Sequence, residues 1–239
     1  MSFRQKKQVT QTGATSITIT FDQPLIANNL VIVTVSSNDG TCTNDAALST
    51  AIEVYDVVND DFLRITYGVV AAGGVQSYTF TGFAGNTKNL GGSEWDCNNI
   101  ASPLDTTAST GTTNPTTVTT INSNTVTKGV QPSLAVVMTS VRASISAPTF
   151  NNGFQLLNQS LGTFSDFSGF LTSTATGTIS CDLSWTTSGV AIGAAIVIFN
   201  ARDFIEAPSR EYDVPFMGHI FSIKDDGKFD TATSVNNWW

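Results

Sequence analysis

The stretch SITITF at residues 16–21 alternates strictly, with Ile17, Ile19 and Phe21 on one side and Thr18 and Thr20 on the other. A period of two marks a half-buried strand, because successive side chains leave a strand on opposite faces. GTISCDLSW repeats the pattern, placing Ile179, Cys181, Leu183 and Trp185 on one face. LVIVTV (residues 30–35), SLAVVMTSV and VAIGAAIVIFN (residues 190–200) are apolar at nearly every position. Such runs belong to interior strands covered on both faces. No stretch carries the 3.6-residue apolar spacing of an amphipathic helix, so the fold class expected is all-β. At 239 residues the chain is long enough for one large sandwich.

Charged residues make up only 13% of the chain, against about 25% in ordinary globular domains, so Thr, Ser and Asn supply most of the polarity. That balance favours strands. FLRITYGVV and VQSYTFTGF, separated by AAGG, are expected to form a hairpin. The Gly- and Asn-rich GNTKNLGGSEWDCNNIASPLD reads as loop around a short strand at residues 94–97. The Thr-rich residues 106–127 fit either a linker or an exposed strand. Composition changes at Arg202: eleven of the chain's 30 charged residues lie beyond it or at it. The expected plan is an N-terminal arm (1–9), a sandwich (10–201) and a C-terminal extension (202–239). Within the extension, HIFSIKDDGKFDT is expected to form a hairpin turned at Asp226-Gly227. A lone two-stranded hairpin is marginal in water and needs a surface to lean on.

That extension also ends in Trp238 and Trp239, which together offer on the order of 300–500 Å² of burial. With Phe216, Phe221 and Phe229 they are the expected partner-docking residues, set against a neighbouring protein surface in preference to folding back on the chain's own sandwich. A net charge of −8 disfavours nucleic acid and anionic membranes, and Arg4, Lys6 and Lys7 read as a solvated end. No apolar leader follows Met1 and no run of about eighteen apolar residues occurs, so neither export signal nor membrane span is expected. Cys42, Cys97 and Cys181 are too few and too scattered for a disulfide framework or a zinc site, which leaves open one disulfide plus a free thiol. His219 is the sole histidine, and no GxSxG elbow accompanies it. No catalytic residue, metal or cofactor is expected.

Weaker candidates remain. Trp95, flanked by Glu94 and Asp96, is a possible glycan contact. Glu94 paired with Asp96 or Asp105 invites comparison with glycosidase carboxylates, yet Glu94 and Asp96 stand on one side of a strand only about 7 Å apart. NDGTCTND (residues 38–45) and KDDG (residues 224–227) gather oxygens, for which turn chemistry suffices. Trp185 is expected in the core. Phe154, Phe164, Phe167 and Phe170 are expected to cover one sheet, with Phe167 and Phe170, three apart in a loop-like setting, able to reach a neighbour.

SITITFDQPLIANNLVIVTV, GSEWDCNNIASPLDTTAST, PSLAVVMTS and GTISCDLSWTTSGVAIGAAIVIFN, in that order over roughly residues 10–200, resemble a concanavalin-like jelly-roll domain of bacteriophage structural proteins and some bacterial surface proteins. The resemblance implies an antiparallel jelly-roll β-sandwich without a common active site. The expectation is a non-enzymatic virion protein, made in the host cytoplasm, that decorates the capsid head or attaches to the tail. Its expected partners are other virion proteins and further copies of itself. A carbohydrate-binding module or adhesin contacting host-surface glycan is the alternative, and a glycoside hydrolase or lyase a more distant one.

Overall fold

The computed structural model describes residues 2–38, 40–74, 76–96, 101–111, 117–129, 133–200, 212–216 and 219–223. In chain order the strands are β1 (Ser2–Gln11), β2 (Ser16–Thr20), β3 (Leu30–Ser37), β4 (Ser49–Asp56), β5 (Asp61–Val69), β6 (Ser77–Thr81), β7 (Lys88–Asp96), β8 (Leu104–Gly111) and β9 (Thr117–Asn122). They continue with β10 (Val126–Lys128), β11 (Ser133–Arg142), β12 (Thr149–Phe150), β13 (Gln155–Ser160), β14 (Ser165–Ser173), β15 (Gly177–Ile179), β16 (Asp182–Asn200), β17 (Tyr212–Phe216) and β18 (His219–Ile223). No helix occurs among the described residues, and every strand pairing is antiparallel. The protein is an antiparallel β-sandwich.

One sheet has the order β1-β7-β3-β5-β4. The other has the order β12-β16-β11-β14-β13, with β8 and β9 also pairing with β16. Each sheet is thus drawn from one half of the chain. The two face each other across a core of Leu30, Ile32, Leu63, Ile65 and Trp95 from the first, and Leu134, Val136, Met138, Val197 and Phe199 from the second.

The uniformly apolar runs become interior strands because both sheets are covered outside as well. Val31, Val33 and Val35 of β3 turn away from the sheet interface onto Ile17, Ile19 and Phe80 of the β2–β6 ribbon. Ala135, Val137 and Val141 of β11 turn outward onto Ile121, Val126, Cys181, Leu183 and Trp185. Gly169 permits part of this cover, since a Cβ there would sit 2.7 Å from the Phe150 ring. β16 serves two layers by changing partners: residues 182–184 and 189–190 pair with β9, residues 190–200 with β11, and residues 193–199 with β8.

Several expectations need correction. β5 and β6 do not form a hairpin: β5 pairs with β3 and β4, whereas β6 crosses over to pair with β2. The crossover is held by Val70, whose N–H and C=O bond the backbone of Asn29 and Asn28, and by mutual bonds between Leu25 and Gly74. Residues 88–96, expected as mostly loop, are a nine-residue strand between β1 and β3. Their Gly and Asn are interior positions, Asn89 and Gly91 among them. The segment expected as an N-terminal arm is largely β1, zipped along β7 from Ser2 to Gln11. The Thr-rich region is strand at β8, β9 and β10.

The chain divides into two compact units, Met1–Arg202 and Asp203–Trp239. In the second, β18 pairs with the preceding β17, and the turn expected at Asp226-Gly227 lies outside the described residues.

Candidate functional site

Glu94 stands on β7 with its carboxylate fully buried. Oε1 accepts from the Ile26 N–H at 2.9 Å and from Asn29 Nδ2 at 2.7 Å, and Oε2 accepts from Gln5 Nε2 at 2.6 Å. Arg4 Nε lies 3.8 Å from Oε2. Three chain segments therefore converge on one carboxylate: β1, the connection before β3, and β7. A buried charge is tolerated when its lone pairs are taken in this way. The group acts as a clasp for the N-terminal strand, and its oxygens are already engaged.

Trp95 cannot offer a ring face to a glycan, because it is fully buried between the sheets. Its Nε1–H donates to Ser93 Oγ at 2.9 Å, and its ring packs edge-on against Phe3 at 5.2 Å and Phe170 at 5.1 Å. The physical reason is register: Trp95 lies opposite Leu30 on β3, with its side chain on the core face, while Glu94 belongs to the other face. Asp96 ends β7 half-buried, opposite Ser2. The glycan contact built on these three residues is corrected accordingly.

The aromatic residues expected to cover a sheet do so in part. Phe154 and Phe167 sit in the outer layer with Trp185, whose ring is 5.8 Å from that of Phe167. Phe170 packs instead against the inter-sheet core, since three residues along a strand reverse the face. Neither Phe167 nor Phe170 lies in a loop.

Among the described residues of 38–45, the side-chain oxygens of Asn38, Asn44 and Asp45 are engaged within the chain. Asn38 Oδ1 accepts from the Thr87 N–H, Asp45 caps the Ala47 N–H and takes the Thr79 N–H, and Asn44 accepts from Arg64. Cys42 and Cys181 are free thiols, and burial pushes them up to about 11 and about 12 respectively, so both stay protonated near neutrality. Cys97 and the Lys224–Gly227 stretch lie outside the described residues, as do Phe229, Trp238 and Trp239.

The remaining docking residues, Phe216 and Phe221, fall on the β17–β18 hairpin. Its register sets Tyr212 opposite Ile223, Val214 opposite Phe221, and Phe216 opposite His219. Five of these six paired residues are apolar or aromatic, and they alternate in sequence with Asp213, Pro215, Ile220 and Ser222. Sequence reading finds Phe216 and Phe221 but does not anticipate β17, and so misses Tyr212 and Val214. Their alternation with Asp213 and Pro215 was the available signal.

Compared with known proteins, the chain matches no family model, no curated protein and no solved structure.

Proposed function

We propose that the chain is a non-enzymatic structural component of a protein assembly, of the kind found in bacteriophage virions, mounted through residues 203–239. The observation that carries this reading is the β17–β18 ribbon. Its register pairs Tyr212, Val214 and Phe216 with Ile223, Phe221 and His219, five of the six apolar or aromatic, and it belongs to the compact unit Asp203–Trp239. A two-stranded ribbon is marginal in water, and units below about 40 residues usually need metals, disulfides or association to hold together. Residues 203–239 contain no cysteine, so no disulfide within the segment can hold it, and association is the means proposed here. The sandwich supplies the rigid body and the extension supplies attachment, to neighbouring virion proteins on head or tail or to further copies of the chain. Trp238 and Trp239 add apolar area to the same segment.

The test compares the full chain with a Phe216→Ser/Phe221→Ser double variant in size-exclusion chromatography with light scattering, and in incorporation into particles. Loss of association or incorporation, with the thermal transition of the sandwich unchanged, supports the reading. Unchanged association and incorporation refutes it.

A further inference from the structure

Seven buried side-chain polar atoms lack a hydrogen-bond partner among the described residues. Six belong to Gln8 (Nε2 and Oε1), Ser36, Ser140, Asp166 and Ser168, and the seventh is Trp185 Nε1. Native interiors leave few such groups, and each requires a physical account. Here the six share a location.

Strand parity places them all in the space between the sheets. On β3, Leu30 and Ile32 face the opposing sheet, and two and four residues further along the same face come Thr34 and Ser36. On β11 the inward series Leu134, Val136, Met138 continues to Ser140, and on β14 inward-packed Phe170 is followed back along the strand by Ser168 and Asp166. Register ties them together: Ser140 is opposite Asp166, and Met138 opposite Ser168. Gln8 of β1 lies opposite Gly91 of β7. A Cβ on Gly91 would meet Thr34 Oγ1 at 2.7 Å and Asn158 at 3.0 Å, so the bare glycine lets these polar side chains close up against β7. The sandwich interior is thus apolar at one end and lined by amide, hydroxyl and carboxyl groups at the other.

We infer that the polar end is a closed hydration site, in which ordered water bridges Gln8, Ser36, Ser140, Asp166 and Ser168 between the two sheets. Buried water typically makes about three hydrogen bonds to groups that otherwise lack partners. Water also suits the mixture on offer. Gln8 Nε2 donates, Gln8 Oε1 accepts and the serine hydroxyls do both, whereas a cation would be opposed by the amide donor.

The site is linked to protons through Asp166. Burial pushes its carboxyl up to about 7, and no charged neighbour contributes to that rise. Of the ionisable groups on the surrounding strands, Lys6 donates to the Leu157 carbonyl at 2.7 Å, and Arg142 is bound by Asp61 and the Asn59 carbonyl. The others are held elsewhere: Arg4 and Glu94 by each other, Lys7 by Asp22, Arg64 by Glu53, and Lys88 by the Asn86 carbonyl beneath the Phe83 ring. β3 and β13 carry no ionisable side chain, Asp96 ends β7 opposite Ser2, and Asp182 opens β16 at its other end.

Two measurements on the full chain test the inference. A high-resolution crystal structure grown in sodium-free rubidium buffer is expected to show water density within hydrogen-bond distance of Asp166 Oδ1 and of at least two of the three serine hydroxyls. An empty space, or an anomalous rubidium peak against Asp166, overturns it. Oxygen-17 magnetic relaxation dispersion is expected to detect long-lived internal water that the Ser140→Val/Ser168→Val variant loses. Gln8→Leu, on the edge strand β1, is expected to lower the same signal if the double variant does not fold. A signal unchanged in the variants that fold overturns the inference as well.

Discussion

Replacing Asp166 with Asn removes a proton while nearly conserving shape, and the consequence has a definite sign. In the folded chain the Asp166 carboxyl titrates at about 7, against an ordinary value of 3.8, because burial penalises its charged form. Between those two values the folded state holds a proton that the unfolded state has released. Unfolded protein therefore binds fewer protons there, and stability falls as pH rises from about 4 to about 7. At about 1.4 kcal/mol per unit, a separation of roughly three units costs the wild type up to about 4 kcal/mol above pH 7. The Asp166→Asn side chain has no proton to lose and escapes that cost. Differential scanning calorimetry of both proteins from pH 4 to pH 9 isolates the effect, since every other group titrates in common. At about 2–4 °C per kcal/mol for a chain of this size, the variant is expected to melt up to roughly 8–16 °C higher than the wild type at pH 8. At pH 4 the two should melt close together. A melting difference that does not change with pH, or a wild type that is the more stable at pH 8, refutes the reasoning.

Glu94→Gln places an amide NH₂ against donors from Ile26, Asn29 or Gln5, and is expected to cost about 2–4 kcal/mol in chemical denaturation while speeding hydrogen exchange along β1. Trp95→Ala opens a cavity between the sheets and should cost about 3–5 kcal/mol by the same measurement, with binding to a glycan array unchanged from wild type. Gly169→Ala drives a methyl into the Phe150 ring, and about 1–3 kcal/mol of destabilisation is expected from urea melts. Deleting Trp238 and Trp239 should reduce incorporation into particles without moving the thermal transition of the sandwich.

Sequence periodicity reveals the kind of element far better than its partners. The alternation of residues 16–21 and the apolar runs of β3, β11 and β16 all become strands, because burial on one face or two leaves a direct trace in residue order. Pairing leaves no such trace. β5 and β6 carry alternation suited to a hairpin, yet β6 joins β2, since a short Gly-rich connection serves a crossover as readily as a turn. β7 was the hardest strand to see. Asn89, Gly91, Gly92 and Ser93 lower its strand propensity, and at the two glycines the opposing sheet and the outer ribbon approach too closely for larger side chains. Trp95 misled for a related reason: polar sequence neighbours imply exposure only in a loop, and in a strand the residues next to it face the other way. The polar end of the interior was illegible because Ser36, Ser140, Asp166 and Ser168 come from distant parts of the chain and meet only through register and sheet packing.

The proposal that the chain belongs to a particle, with residues 203–239 attaching a rigid sandwich to its neighbours, is tested most directly by cryo-electron microscopy of particles purified with the chain. The β17–β18 ribbon and the terminal tryptophans are expected to be packed against another subunit. A map in which the sandwich faces make the contacts while residues 203–239 touch no neighbour contradicts it.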